Sequence, residues 1–450
     1  MYTTAVAEPA DLGVLDASDL LARGALSSRE LTQSCLERIR TRDGAHSHDG
    51  DAASVNAWVR VYEDDALAAA ARADARRAGG DPPLLCGVPI GLKDLYAVAG
   101  KPLTASSHVM DEVPDCDCDF WARLSAEGMV LLGHLHTHEF ACGGTTDQVG
   151  NPWALERSAG GSSGGSGAAL ASRQVPAASG TDTAGSLRIP SSECGTSTIK
   201  PTRGLLSLRG IVPLAPTFDH PGPMAREVRD CEPLLAALAG RQAPAQRREL
   251  RRWALSPRVA DLDPDVADGL ERALAALPGE RVDPPPPAAR LDVLGDFFDL
   301  VLTEMLAWHR RFDDRRDAYR YSNRARLEHA ERRAMTAEEY VAFQLGRAED
   351  TAAWRDWLGE HDVDAVVEPT LPIVAPLRGR GYDEPFGDVE DISLTHYWDW
   401  TGFPVVALPS GVGARSGLPV SVSLIGAPGA DWDLLAWGAA LQEALGTVSP

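Results

Sequence analysis

Three short stretches of this 450-residue chain hold residues able to do chemistry: Gly91-Leu92-Lys93-Asp94, Gly160-Gly161-Ser162-Ser163-Gly164-Gly165-Ser166, and Gly180-Thr181-Asp182-Thr183-Ala184-Gly185-Ser186-Leu187-Arg188. The chemistry on offer is nucleophilic attack. A serine hydroxyl is a weak nucleophile at neutral pH and needs an adjacent base. A lysine can be that base when burial disfavours its charged form. Each stretch alone has a plainer explanation. A lysine that ends an apolar run is ordinarily a strand terminus reaching back to water, and a GGSSGGS run reads as flexible linker or as a nest of amides for an anion.

The surrounding elements speak against a linker. Residues 140 to 200 are dense in Gly, Ser and Thr, yet they lie between apolar strand-like runs and enclose a helical Ala168-Ala169-Leu170-Ala171 pattern. Such a stretch marks a place where backbone approaches a ligand closely. Short apolar runs broken by Gly and Pro (Gly87 to Leu92, Met129 to Leu132, Val175 to Ser179) alternate with helical segments, as in a buried sheet covered by helices on both faces. Upstream, residues 15–80 read as helices. Ser27-Ser28-Arg29-Glu30 is a capping box ahead of Leu31, Cys35, Leu36 and Ile39, and the alanine-rich segment from Asp64 to Arg77 stops at Gly79-Gly80. Residues 84–235 carry the three stretches. Residues 240–360 read as a helical insertion or cap, broken at Pro284 to Pro287, and residues 365–450 return to strands before a last helix from Asp431 to Leu445. No internal repeat is present at a solenoid period.

Composition narrows the function. A 44% hydrophobic, 24% charged chain is globular rather than disordered. Its net charge of −22 opposes contact with nucleic acid or anionic lipid. The basic pairs Arg247-Arg248 with Arg251-Arg252, and Arg310-Arg311 with Arg315-Arg316, read as solvated helix faces. Seven scattered cysteines make no disulfide framework and imply reduced thiols. The segment Met1 to Ala10 contains Glu8 and lacks a basic, then apolar, signal pattern, and no run approaches the ~20 apolar residues of a spanning helix. A soluble, cytoplasmic protein is expected, with no membrane or nucleic-acid partner.

Taken together and in this order, the three stretches resemble the amidase signature family. The 24-residue separation of Ser162 and Ser186 matches that of the family's two serines. The resemblance runs from Ser27-Ser28-Arg29-Glu30-Leu31 through Lys200-Pro201-Thr202-Arg203-Gly204 and Gly222-Pro223-Met224-Ala225-Arg226 to Thr401-Gly402-Phe403-Pro404 and Gly417-Leu418-Pro419. It implies an α/β fold, one large α/β/α domain over residues 1–450 with a central mixed sheet flanked by helices. It implies an amide hydrolase in which Lys93 is the base, Ser162 the relay and Ser186 the nucleophile, with a cis peptide between Gly161 and Ser162. The amides of Thr183, Ala184, Gly185 and Ser186 match the family's oxyanion hole, and Ser163, Asp182 and Arg188 match supporting positions, although Asp182 and Arg188 could equally be a plain ion pair. No metal or organic cofactor is implied, and dimers are common in the family. Ala184 stands where many members have glycine, and its Cβ is harmless only at negative φ. His136-Thr137-His138 is a second departure.

Other residues have competing readings. His134, His136 and His138 alternate, which places them on one face of a strand as a packed or pocket-lining set rather than a metal site. Cys116-Asp117-Cys118 lacks a second CxxC and is not a metal site. Trp398 and Trp400, with Trp308, His396 and His138, are candidates for a substrate pocket or for plain core. A small-molecule carboxamide is the expected substrate. The alternatives are a biosynthetic acyltransferase with the same triad, an amidotransferase subunit that releases ammonia from glutamine, and a non-catalytic binding protein on this scaffold. The intact Lys93, Ser162 and Ser186 stand against the last.

Overall fold

The apolar runs become strands of one sheet. A computed structural model of the chain describes residues 8–384, 386–387 and 392–450; the first residues of the segment read for a signal sequence, 1–7, lie outside it. The strands are β1 (Trp58–Val61), β2 (Pro89–Lys93), β3 (Val130–Leu135), β4 (Gly150–Asn151), β5 (Ala154–Ser158), β6 (Ala177–Asp182), β7 (Ser197–Lys200), β8 (His220–Ala225), β9 (Arg252–Leu255), β10 (Glu280–Val282), β11 (Ala365–Pro369), β12 (Val405–Val412) and β13 (Pro419–Ile425). Eleven form a sheet in the order β1-β3-β2-β6-β8-β7-β12-β13-β11-β9-β10, and β4 pairs with β5 apart from it. The sheet is mixed: β3, β2 and β6 run parallel, as do β11, β9 and β10, while the strands between are antiparallel.

Every residue of β2, β3, β6, β8, β11 and β13 is buried. This is what a sheet covered by helices on both faces requires. The helix Ser28–Arg42 starts at the expected capping box, with the Ser27 side chain accepting from the Glu30 amide and Glu30 reaching back. It packs on the helix Glu63–Ala78, and the last helix, Asp431–Leu445, packs on β12 and on the helix Val228–Ala239. No helix of the described residues is long and apolar enough to cross a membrane.

Residues 240–360 depart from the helical expectation. Helices Pro264–Ala276, Leu294–His309, Tyr321–Arg333 and Ala337–Glu360 form there, but β9 and β10 also lie in this region and extend the sheet beyond β11. Only Trp253 and Ala254 of β9 are buried, so a strand of two core residues was hidden among arginines. Arg247 and Arg248 accordingly lie in a loop, not on a helix face, and pair with Glu232 and Asp433. Arg310 to Arg316 lie in kinked 3-10 turns.

What matters for function is that β2 and β6 are parallel neighbours, with Ile90 opposite Ala177 and Gly91 opposite Ala178. Their carboxyl ends, Lys93 and Asp182, therefore open on the same side of the sheet. In open α/β sheets that side is where ligands bind.

Candidate active site

Lys93 is the last residue of β2 and is fully buried. Its amide donates to Ser179 Oγ at 2.9 Å, locking the strand end to β6. Its Nζ lies 2.7 Å from Ser162 Oγ, 2.8 Å from Ser163 Oγ and 2.9 Å from Thr181 Oγ1. Burial drives the Lys93 pKa well below the ordinary lysine value, against the opposing pull of Asp182 and Asp219. A neutral amine has two N–H donors and one lone pair, so three hydroxyls satisfy it: it donates to two and accepts from the third. That lone pair is able to accept a proton from a hydroxyl.

Ser162 and Ser163 reach Lys93 from the opposite wall. The Gly161–Ser162 peptide is cis, and the chain turns directly into the short helix Gly164–Ala171. The Ser162 carbonyl accepts from the His138 amide at 2.9 Å and from Thr146 Oγ1 at 3.2 Å, which fixes the turn. An added Cβ at Gly161 would run into the Thr145 backbone, so only glycine fits there.

Ser186 sits in the loop that joins β6 to the helix Arg188–Cys194 and is 4% exposed. Asp182 and Arg188 hold this loop from beneath. Arg188 donates to both carboxylate oxygens of Asp182, at 2.9 and 3.0 Å, and to Asp399 Oδ2 at 2.6 Å, all three side chains being buried. Asp182 also accepts from the Gly185 amide at 2.5 Å and the Leu187 amide at 3.2 Å. The side chain of Thr183 donates to Asp219, whose carboxyl burial raises to about 7. Gly185 has φ +131, and a Cβ there would collide with Thr395. Ala184 is not among the residues of positive φ, so its Cβ is tolerated.

The four amides expected to bind an oxyanion therefore divide. Gly185 is engaged by Asp182, whereas those of Thr183, Ala184 and Ser186 have no hydrogen-bond partner among the described residues. The Ser186 hydroxyl makes no hydrogen bond to Ser162 in this arrangement; among the described residues its place is the wall of a narrow cavity. That cavity, of about 40 Å³, is lined by Ala184, Ser186, the loop from Ala141 to Gly144, Leu214, Phe297, Phe298, Val301, Leu302, Arg326 and Ile392. Its walls are mainly apolar.

Several expectations about the pocket need correcting. Trp398 and Trp400 do not line it: both are fully buried, with their indole N–H groups on Glu368 at 2.5 Å and Asp350 at 3.0 Å. Each buried indole requires a polar partner, and those partners lie in the core. Trp308 packs against Phe140, and His396 bonds the Ile392 carbonyl. The three histidines do not share a face, because β3 ends at Leu135 and the alternation stops with it. His134 sits between the Tyr62 hydroxyl and the Tyr96 carbonyl, His136 beside Ser106 and Gln148, and His138 with Nδ1 2.8 Å from the Thr145 carbonyl, outside the cavity wall. Cys118 caps the helix Asp119–Ala126 through its sulfur.

Other residues were missed in the sequence. Thr181 follows Ser179 at strand alternation and so shares its face, a signal that was present. Asp399 lay unnoticed between two tryptophans. Phe297 and Val301, and Phe298 and Leu302, are i,i+4 pairs on the helix Leu294–His309, a stripe indistinguishable from core packing.

Known proteins share this fold. The family model for Amidase matches residues 31–267. The A-type subunit of glutamyl-tRNA(Gln) amidotransferase from Roseiflexus castenholzii is 34% identical, covering 96% of this chain and 95% of that protein. A solved structure from work on an unexpected vestigial protein complex and the evolutionary origins of an s-triazine catabolic enzyme has a TM-score of 0.86 at 29% identity, covering 97% of this chain and 99% of that one. Another, 6-aminohexanoate cyclic dimer hydrolase complexed with substrate, has a TM-score of 0.83 at 27% identity and covers 97% of each. With a mixed sheet between helices, and Lys93 at the end of β2 bonded to Ser162 and Ser163, this chain belongs to the amidase signature family, whose enzymes hydrolyse amide C–N bonds.

Proposed function

We propose that the chain cleaves an amide with an apolar acyl group through an acyl-enzyme on Ser186. Ser186 Oγ attacks the carbonyl carbon as its proton passes to Ser162, and Ser162 gives its own to Lys93. The amides of Thr183, Ala184 and Ser186 receive the charge that develops on the carbonyl oxygen, where preorganised donors contribute most. Ser162 returns a proton to the departing nitrogen, since an amine leaves only when protonated. Water then attacks the ester carbonyl with the same groups in reverse, releasing the acid and freeing Ser186. The observation that carries this reading is the buried Lys93 amine with three hydroxyl oxygens within 2.9 Å. Contact between Ser186 and Ser162 forms when substrate closes the gap, as such bonds are often looser without it.

The substrate class rests on the cavity. Phe297, Phe298, Val301, Leu302, Leu214 and Ile392 favour an aliphatic or aromatic acyl group and offer no carboxylate to an ammonium. The free thiols of all seven cysteines fit a reducing, cytoplasmic setting.

A second reading is favoured by the relatives. The A-type amidotransferase subunits, at 30–34% identity over nearly the whole chain, make a glutamine-hydrolysing component of a larger complex the better supported alternative on similarity alone. Ammonia release from hexanamide, benzamide and glutamine, measured with the purified chain alone, separates the two. Under the first reading, kcat/KM for the apolar amides exceeds that for glutamine by at least about tenfold, a margin of about 1.4 kcal/mol. Preference for glutamine, or turnover only with a partner protein added, favours the second.

A further inference from the structure

Outside the residues that line the Ser186 cavity, the loop between the helix Ser28–Arg42 and β1 and the segment after β2 bring three metal-ligating atoms together. His48 Nδ1 lies 3.5 Å, and His108 Nε2 3.3 Å, from the same oxygen, Asp49 Oδ1. All three lie within 4.8 Å of one another. The two imidazole rings are 4.1 Å apart, tilted by 36°. A point equidistant from three atoms so spaced lies roughly 2 Å from each, the length of a bond from Zn²⁺ to imidazole nitrogen or carboxylate oxygen.

The surroundings suit an ion. His108 and Asp49 are exposed, which gives an entry path, and His48 is half-buried. Neither ring nitrogen of His48 has a hydrogen bond among the described residues. The fully buried His136 stands edge-on to it at 6.4 Å, with its own Nε2 unpartnered. One group competes: Arg320 Nη2 donates to Asp49 Oδ1 at 3.1 Å and to the His48 carbonyl at 3.2 Å. An arriving ion takes the carboxylate oxygen and leaves Arg320 on the carbonyl.

We propose that His48, Asp49 and His108 form a binding site for one divalent transition-metal ion of the Zn²⁺ class, separate from the amide-cleaving centre. Two imidazole nitrogens and one carboxylate oxygen select such ions over Mg²⁺ or Ca²⁺, which prefer all-oxygen shells. The ion ties the loop that carries His48 and Asp49 to the segment that carries His108, and water completes its coordination.

The test uses the full chain, freed of metal with EDTA, and Co²⁺ as the probe, followed by visible absorption and titration calorimetry. One Co²⁺ should bind per chain and be displaced by Zn²⁺. His48→Ala and His108→Ala should each weaken binding by at least about tenfold, with the unfolding midpoint and metal-free amide hydrolysis unchanged. No saturable uptake at millimolar Co²⁺, undiminished binding in the doubly substituted chain, or tighter binding of Mg²⁺ than of Co²⁺ would each overturn the proposal.

Discussion

A lysine sealed among hydroxyls is useful only without its proton. Because burial lowers the Lys93 pKa, kcat/KM should fall as pH drops through that depressed value and level off above it. Protonation removes the lone pair that accepts from serine, so the sign is fixed. Between the depressed value and the ordinary lysine value the folded chain binds fewer protons than the unfolded one, and this group's contribution to stability rises with pH across that window. A pH–rate profile checks the first point: the acid limb should be present in the wild type and absent from the residual activity of Lys93→Ala. Gly185 offers a second residue-scale test. At φ +131 and against Thr395, Gly185→Ala should cost about 1–3 kcal/mol, read from urea unfolding, and should lower kcat by moving the Ser186 loop. The pairing of Lys93 with Ser162 was legible only through the resemblance of the motifs to the family, because Ser162 lies in a loop ahead of the helix Gly164–Ala171 and no apolar run aims it at the end of β2. Thr181 as the third hydroxyl was overlooked, although its alternation with Ser179 places the two on one face of β6.

At the scale of elements, the site depends on a junction of β6, the helix beginning at Arg188 and the short helix His396–Thr401, which brings Asp399. Arg188 is buried between two carboxylates. Arg188→Met strands both, and should cost about 3–5 kcal/mol in urea unfolding. Arg188→Lys should restore little of it, because an ammonium cannot make the paired contacts of a planar guanidinium. A neutral result for Arg188→Met would mean that Asp182 is held by its backbone amides alone. In the proposed cycle the helix Leu294–His309 walls the acyl pocket, so Phe298→Ala should lower kcat/KM for benzamide more than for acetamide. An equal loss on both would move the pocket elsewhere. Asp399 escaped the sequence because its role depends on a residue 211 positions away, and the two tryptophans beside it drew the expectation of a pocket that the core in fact occupies.

At the scale of the molecule, a net charge of −22 is spread over a surface with many short-range ion pairs. Exposed pairs contribute little, whereas net self-repulsion acts over the Debye length, about 30 Å at 0.01 M and about 8 Å at 0.15 M salt. Raising NaCl between those concentrations should therefore raise Tm. A fall would show that the local pairs outweigh the global repulsion. The sheet's outer strands are short, four residues in β1 and three in β10, and β10 exposes Glu280 and Arg281, which discourages edge pairing with another chain. The sheet between helices was legible from apolar runs at the core strands. β9 and β10 were not, because two buried residues among arginines carry no period long enough to recognise.

Every step of the proposed cycle depends on an activated Ser186. The most direct measurement is intact-mass spectrometry after exposure to a broad serine-directed fluorophosphonate, comparing wild type with Ser186→Ala and Lys93→Ala. One adduct on the wild type, none on Ser186→Ala and slow labelling of Lys93→Ala is the predicted result. An adduct that persists in Ser186→Ala, or a folded wild type that takes none, would contradict it.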